Sequence, residues 1–347
     1  MKPRFVTVYQ QAGIYAGWPA NHGAWQWGDE FLVGFLRGAY DGVGNGAGHR
    51  ITPPYHKWHA RSRDGGESWT IEQPNVDFAG SVHDAPQVFN PNNPDNIIRV
   101  CGNYDTGGED CHQLGAFYLS RDRGVVWTGP YAFVGLEGVF GGSDHCTART
   151  RVVGNQVFLS VANRRQWGTD TVFVATYQDG RFIFNFGNDV VLGDHYRAVM
   201  PAVAIINDRT IVALRRKGLG RNWIDIVIKK GGGPWQLLAQ PNELQGVAGT
   251  GKHNGNPPAL ASFGKRLVCT FANRSEKALL AIVSDNLGET WSEPIVLEKG
   301  ECSDVGYPQL LKRADGLAVC VYYWTAVNNE PEHPQHIRAC IFDPFNM

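Results

Sequence analysis

The segment Ser62-Arg63-Asp64-Gly65-Gly66-Glu67-Ser68-Trp69 has the pattern Ser-x-Asp-x-Gly-x-x-Trp, and the chain contains two further copies of it. These copies are Ser120-Arg121-Asp122-Arg123-Gly124-Val125-Val126-Trp127 and, with Asn in place of Asp, Ser284-Asp285-Asn286-Leu287-Gly288-Glu289-Thr290-Trp291. Each copy lies between two apolar runs. This arrangement indicates a β-hairpin whose turn is hydrogen-bonded by the Ser and Asp side chains, with Gly in the left-handed conformation. Three copies in the same local context predict a repeat architecture, in which the motif joins strands and performs no chemistry.

The composition is that of a turn-rich and aromatic-rich β protein, with 42 Gly, 12% aromatic and 19% charged residues in 347. We interpret residues 1–347 as one domain, because closed β architectures often exceed the usual domain length. The net charge of −1 provides no basic surface for nucleic acid or an anionic membrane. Met1–Arg4 leads directly into the strand-like Phe5–Tyr9, without an apolar signal core or a membrane-spanning run. The sequence as given therefore predicts a cytoplasmic protein, with a mature secreted form as the alternative.

The chain can be divided into six units, each with a polar opening, a first strand and a more apolar second strand. The openings are Asn21–Trp25, His83–Val88, Asp144–Thr147, Tyr196–Met200, His253–Pro257 and Gly306–Leu310. The second strands are Phe31–Leu36, Ile97–Gly102, Val157–Ala162, Thr210–Leu214, Leu267–Ala272 and Leu317–Tyr323. A spacing of about 57 residues fits a four-stranded blade with its loops. The sequence predicts an all-β, six-bladed β-propeller, or seven blades if Tyr40–Gly48 contains a degenerate one.

The two ends of the chain are expected to close the ring. The last strand, His336–Phe342, and the first, Phe5–Tyr9, would share the final blade, which leaves no exposed sheet edge. Three cysteines, Cys101, Cys269 and Cys320, occupy the same place in three repeats and are expected to be buried core residues.

The openings of the inner strands converge around the central channel of a propeller, and here they carry ionisable and polar side chains. This set comprises His22, His83, Asp84, His145, Arg197, His253, Asn254 and Tyr307. Packing does not need such groups at one position of every repeat, so the set is a candidate binding or catalytic site. His49 and His56 belong to a long loop of the first unit, from which they could overhang this pocket.

The three repeated turns resemble the Asp-boxes, or BNR repeats, of sialidase-like β-propellers, and the resemblance covers nearly the whole chain. Sialidases hold a carboxylate with three arginines, use a Tyr nucleophile assisted by a Glu, and use an Asp as acid/base on a loop of the first blade. Tyr307 falls where the nucleophile is expected. Arg274 and either Arg215 or Arg216 match two clamp arginines, while Arg37 and Asp41 match a further pocket arginine and the acid/base.

Two departures separate this chain from the sialidase pattern. The Arg-Ile-Pro motif of the first blade is replaced by Gly17-Trp18-Pro19, and the Glu that assists the Tyr is missing because the fourth unit opens with Tyr196-Arg197. A phenol with a pKa of about 10 is a poor nucleophile without a base. The resemblance therefore implies a pocket for an anionic sugar, such as a uronic or sialic acid, rather than a standard sialidase.

The stretch Trp18-Pro19-Ala20-Asn21-His22-Gly23 also resembles the N-terminal signature of propellers that act on rhamnose linked to glucuronic acid, where a histidine is central to catalysis. This resemblance implies a glycosidase in which His22 transfers the proton, ahead of Asp41 and Tyr307, and Arg197 or Arg274 neutralises the carboxylate. The same groups would suit a polysaccharide lyase. A propeller that only binds a glycan or a protein is the third alternative. Neither reaction needs a redox cofactor and no metal-ligand spacing is evident, so we expect no cofactor.

Overall fold

Six β-sheets surround a channel in the computed structural model, and they confirm the predicted six-bladed β-propeller. The structure describes residues 2–43, 49–76, 83–86, 89–101, 116–132, 145–154, 156–163, 171–179, 181–184, 190, 197–218, 221–239, 257–327 and 330–347. Strand β1 is Arg4–Tyr9. Blade one contains β2 Ile14–Gly17, β3 Ala24–Trp27, β4 Glu30–Tyr40, β5 Ile51–Ser62 and β6 Thr70–Glu72.

The described strands of the next three blades follow in chain order. Blade two contains β7 Ile97–Cys101, β8 Ala116–Ser120 and β9 Thr128–Ala132. Blade three contains β10 His145–Val153, β11 Gln156–Asn163, β12 Thr171–Gln178 and β13 Arg181–Phe184. Blade four contains β14 Arg197–Ile206, β15 Arg209–Gly218, β16 Arg221–Lys230 and β17 Trp235–Ala239.

The last two blades complete the ring. Blade five contains β18 Ala259–Phe263, β19 Arg266–Asn273, β20 Ala278–Ser284 and β21 Ile295–Lys299. Blade six contains β22 Gly306–Lys312, β23 Ala318–Trp324 and β24 His336–Phe342. The first strand of the chain, β1, pairs antiparallel with β24, so the sheet order is β1-β24-β23-β22. This pairing confirms the predicted closure by the two ends of the chain.

The first strands of consecutive blades contact one another and therefore line the channel, since β10 contacts β14, β14 contacts β18, and β18 contacts β22. The second strands lie between neighbouring blades and are apolar on both faces. In β23, for example, all seven residues are buried. Cys269 and Cys320 lie in such strands and are fully buried, as expected, whereas the side chain of Cys101 is outside the described set.

The three repeated turns have the predicted hydrogen bonds. In the first, the Gly66 amide donates to Ser62 Oγ at 2.8 Å, and the Ser68 amide donates to Asp64 Oδ1 at 3.0 Å. Gly66 has φ 90°, and the equivalent glycines at 124 and 288 have φ 85° and 91°. Each turn joins the third strand of a blade to the fourth. The Trp of each copy packs into a cluster that includes side chains of the preceding blade, as Trp127 does with Leu32.

The first blade departs from the prediction at its inner strand. Asn21–Trp25 opens a strand as expected, since β3 begins at Ala24, but a helical turn, α1 Pro19–His22, precedes β3 and separates it from β2. The strands β2 and β3 pair with opposite ends of β4. Gly34 of β4 makes room for the turn, because a Cβ there would lie 2.3 Å from the main-chain oxygen of His22. The turn contacts β22 of blade six, β7 of blade two and β10 of blade three, so it lies within the channel.

Candidate functional site

Three residues around the channel have a left-handed main chain directly before a proline. They are Trp18, Met200 and Tyr307, with φ of 56°, 55° and 52°. In blades four and six the strand register shifts at this residue, which places it in a β-bulge that redirects its side chain. Such a conformation costs about 1–3 kcal/mol per residue. Met200 and Tyr307 share one buried cluster, against which Trp18 packs, so three blades direct a strained residue to the same place.

A buried arginine lies next to this cluster. Arg274 directly follows β19 and is 6% exposed. Its Nε donates to the carbonyl oxygen of Val305 at 3.2 Å, and its Nη2 donates to the hydroxyl of Tyr323 and lies 3.4 Å from Asp304 Oδ1. Burial alone lowers the pKa of Arg274, but Tyr323 and Asp304 raise it above its ordinary value, so the side chain stays charged. Its Nη1 makes no hydrogen bond within the described part of the chain, which leaves this donor available to a ligand.

Asp304 is the acceptor that joins the surrounding side chains. Its Oδ2 accepts from the Tyr15 hydroxyl at 2.8 Å, and its Oδ1 accepts from the Tyr323 hydroxyl at 2.6 Å and lies 3.0 Å from His49 Nδ1. Burial alone raises the pKa of Asp304, but His49 and Arg274 hold it well below 3.8. The Asp304 carboxylate is therefore ionised at neutral pH.

Tyr15 and Tyr323 are protonated donors to Asp304. Burial, together with the Asp304 charge, raises the pKa of Tyr15 and of Tyr323 well above 10. Tyr307, the predicted nucleophile, is 8% exposed. Its ring centroid lies 5.9 Å from that of Tyr323 and 5.9 Å from Arg274 Cζ. The structure thus brings Tyr307 and Arg274 together, and we name Arg274, Asp304, Tyr15, Tyr323, His49 and Tyr307 the tyrosine–arginine group.

His22 lies in a second buried cluster. Arg99 Nη2 is 2.9 Å from His22 Nδ1, and Arg99 Nη1 is 2.7 Å from His59 Nε2. All three are at most 1% exposed. An arginine only donates, so Nδ1 of His22 accepts and the neutral ring carries its proton on Nε2. Burial, Arg99 and Lys57 lower the pKa of His22 well below 6.5, so His22 is neutral at pH 7.

Three other residues that the sequence predicted for the site, Arg37, Asp41 and Arg216, each contact another side chain or the main chain of the protein. Arg37 stacks on Trp58, with Cζ 4.0 Å from the ring centroid, and lies 5.7 Å from the ring of Tyr9 in the outermost strand of blade six. The expectation that Arg37 faces the channel is therefore wrong: its side chain packs between blades. Asp41 is half-buried, and its Oδ1 accepts from the Val43 amide at 2.9 Å, which closes a local turn.

Arg216 also faces a protein partner rather than open solvent. It is fully buried, and its Nη1 donates to Asp225 Oδ2 at 2.8 Å. Trp223 Nε1 donates to the other carboxylate oxygen at 3.0 Å. Asp225 therefore compensates the charge of Arg216.

The remaining predicted residues differ in how far the structure describes them. His145 begins β10 and Arg197 begins β14, which confirms their place at the openings of inner strands; their side chains lie outside the described set. His83 and Asp84 are exposed, and the main chain of His83 pairs with Tyr131 of β9 in blade two. This strand is the one of the described sheet farthest from β7, and that His83 and Asp84 open an inner strand stays a prediction. His253 and Asn254 lie outside the described residues.

Sequence reasoning missed Asp304 and Arg99, the residues that organise the two clusters. Asp304 lies three residues before Tyr307, and this proximity was a usable signal. Arg99 lies inside an apolar strand where nothing marked it as functional. Among the described residues, no group of three or more His, Cys, Asp and Glu side chains could hold a metal ion, and no helix could cross a membrane.

Comparisons with known proteins show the fold. No protein-family model matches the chain, and no curated protein matches it significantly. A protein of unknown function from Dyadobacter fermentans DSM 18053 is 16% identical with a TM-score of 0.70, covering 98% of this chain and 99% of that one. Trypanosoma rangeli sialidase with 2,3-difluorosialic acid is 12% identical with a TM-score of 0.60, covering 97% and 58%.

A mutant of the same sialidase that displays trans-sialidase activity is also 12% identical, with a TM-score of 0.57 over 98% of this chain and 58% of that one. This chain thus spans about 58% of the length of these sialidase chains. At these identities the likeness concerns the fold. The chain is therefore a six-bladed β-propeller of the sialidase type.

Proposed function

We propose that this propeller is a carbohydrate-active enzyme that cleaves a glycosidic bond at or next to an acidic sugar, and that the tyrosine–arginine group is its active site. The observation that carries the proposal is the buried, charged Arg274 beside Tyr307. The Asp304 carboxylate contacts four side chains, and the longest of these four contacts is the one with Arg274, at 3.4 Å. Arg274 therefore keeps Nη1 for a substrate carboxylate, for which a guanidinium is the preferred partner.

The reaction that we favour is hydrolysis by an exo-acting enzyme. The glycosidic C–O bond breaks, the leaving oxygen takes a proton, and a water oxygen bonds to the anomeric carbon. Tyr307, whose ring centroid lies 5.9 Å from Arg274 Cζ, is the group that we assign to attack the anomeric carbon or to protonate the leaving oxygen. Asp41, which the resemblance marks as the acid/base, belongs to the loop that follows β4.

The contacts of His22 give it a narrower role than the sequence predicted. Its Nδ1 accepts from Arg99, and its Nε2 carries the proton, so it can donate a hydrogen bond but offers no lone pair for general-base catalysis. The sequence-based hypothesis makes His22 the main proton-transfer residue and expects His22→Ala to lower kcat by about 10² to 10⁴. If that variant stays active while Tyr307→Phe or Asp41→Asn is inactive, the sialidase-like pair performs the chemistry instead.

The deciding experiment compares acidic oligosaccharides with their carboxyl-reduced counterparts. We expect cleavage of a rhamnosyl-glucuronate or a sialyl oligosaccharide, and much weaker turnover of the reduced sugars. Arg274→Lys keeps the positive charge but loses the two parallel N–H donors of the guanidinium. KM for the acidic sugar should therefore rise about 10- to 100-fold, as expected for a lost charge-assisted hydrogen bond. Equal turnover of both sugars contradicts the proposal.

Analysis of the products separates the remaining alternatives. A saturated reducing sugar indicates hydrolysis, whereas an unsaturated uronate that absorbs in the near ultraviolet indicates a lyase. Binding of the acidic sugar without any product indicates a glycan-binding propeller. Lys57→Met is a suitable control variant, because Lys57 is buried in the His22 cluster and is not part of the tyrosine–arginine group.

A further inference from the structure

The indole of Trp18 is partly exposed and lies against the tyrosine–arginine group. Its ring centroid is 4.8 Å from that of His49 in an edge-on arrangement, 5.2 Å from Tyr15 and 5.9 Å from Tyr323. These three residues all contact the Asp304 carboxylate. One layer of side chains therefore separates the indole from the carboxylate that Arg274 faces.

The main chain holds Trp18 in a left-handed conformation that residues other than glycine rarely adopt. Trp18 has φ 56° and ψ 48° before Pro19, and its carbonyl oxygen accepts from the Asn21 amide at 2.9 Å. Gly17 permits the close approach of the Tyr15 ring, because a Cβ there would lie 2.8 Å from Tyr15 Cε1. A strained residue that the surrounding structure holds in place is typical of functional sites.

The exposed part of Trp18 offers both kinds of contact that a sugar ring makes. Within the described part of the chain its indole N–H makes no hydrogen bond, and the nitrogen is not buried. An indole supplies a large apolar face at low entropic cost and a single donor at its edge. A pyranose ring has an apolar C–H face and hydroxyl groups at its rim, so it matches this surface.

We propose that Trp18 is the stacking platform of a sugar subsite next to Arg274, on which the ring of the acidic sugar lies while its carboxylate binds the guanidinium. This inference rests on the proposed substrate class and adds to it a pyranose with an unobstructed C–H face. It also gives a reason for the Trp at this position, where the chain reads Gly17-Trp18-Pro19 in place of the Arg-Ile-Pro motif.

The test uses the full chain labelled with 5-fluorotryptophan and ¹⁹F NMR, with the Trp18 resonance assigned from the spectrum of Trp18→Phe. The probes are methyl β-D-glucuronide, N-acetylneuraminic acid and a rhamnosyl-glucuronate disaccharide. We expect one of these sugars to shift the Trp18 resonance, and Trp18→Leu to bind it about 10-fold or more weakly. Trp235→Phe is the matched control, because Trp235 is a partly exposed residue on the outermost strand of blade four.

The outcomes distinguish this inference from the proposed function. A shift of the Trp18 resonance without any cleavage supports the stacking platform and contradicts the proposed enzymatic activity. Cleavage of an acidic sugar without a shift of the Trp18 resonance, and with unchanged KM in Trp18→Leu, overturns the stacking platform but supports the proposed enzymatic activity. If none of the probes binds or is cleaved, the platform is overturned as well. The shift is measured on the unmutated side chain, so the test stands even if Trp18→Leu folds poorly.

Discussion

Replacing Asp304 with Asn tests whether this carboxylate organises the site. The substitution keeps the shape and one acceptor oxygen but removes the charge that faces Arg274. It also weakens the hydrogen bonds from Tyr15 and Tyr323, at 2.8 and 2.6 Å, and the contact with His49 at 3.0 Å. Breaking a buried ion pair costs about 3–5 kcal/mol. Since the Asp304 side chain is 14% exposed and Asn can still accept one hydrogen bond, we expect a loss of about 3 kcal/mol.

Urea unfolding measures this loss as a lower midpoint at unchanged slope. Asp41→Asn is the matched control: Asp41 accepts one amide hydrogen bond at 2.9 Å on a half-exposed loop, so its loss should stay below about 1 kcal/mol. In a double-mutant cycle with Arg274→Met, we expect the two substitutions together to cost less than the sum of their separate effects. An Asp304→Asn loss below 1 kcal/mol, or additive effects, would refute the reasoning.

The dependence on pH gives a second check of the same residue. The pKa of Asp304 is lower in the folded protein than its ordinary value of 3.8, so the carboxylate stabilises the fold above that pH, and this contribution is lost as the pH falls below it. The stability difference between wild type and Asp304→Asn should therefore be constant above about pH 5 and shrink towards pH 2. A difference that stays constant over the whole range would place its origin in packing rather than in charge.

Three further predictions concern the fold around the site. Gly34→Ala should destabilise the protein by about 1–3 kcal/mol, because the new Cβ would lie 2.3 Å from the His22 oxygen, while Gly42→Ala, with open space around it, serves as the control in urea unfolding. Trp127→Ala should cost about 3–5 kcal/mol in the same assay, because the indole is 1% exposed, with little effect on kcat in the folded fraction. Burial lowers the pKa of His336 from 6.5 to about 4. The neutral His336 therefore contributes about 3 kcal/mol to the free energy of unfolding above pH 6.5, and this contribution is lost as the pH falls from 6.5 to 4. A urea midpoint that does not fall over this interval contradicts the lowered pKa.

The sequence predicted the parts of the fold that depend on local patterns. The repeated turns, the six second strands and the closure of blade six by β1 and β24 are all present, because each follows from turn chemistry or from an apolar run. The interruption of the first inner strand by α1 was not predictable in this way. It depends on a glycine on the next strand, Gly34, and on contacts with other blades, which no local pattern reports.

The site could be predicted in position but not in its pairings. The sequence placed Tyr307 and Arg274 near each other, and the structure does so as well. It also grouped Arg37 and Arg216 with them, since all are arginines at similar points of a repeat. The structure gives Arg37 an aromatic stack and Arg216 a carboxylate, and neither partner is adjacent in sequence. Repeat position therefore predicts which strand end a side chain occupies, whereas the neighbours that neutralise its charge come from tertiary packing.

The three residues with left-handed φ before proline share one backbone conformation but have chemically different side chains. Trp18, Met200 and Tyr307 occupy this conformation in blades one, four and six, and their side chains meet in or against one cluster. None of these three side chains is a carboxylate or an imidazole, so a group that assists the phenol would come from the rim of the cluster. Arg274 and Asp304 lie at that rim, outside the openings of the inner strands. If the chemistry depends on Tyr307, it should therefore depend on these two residues more than on any other residue that opens an inner strand.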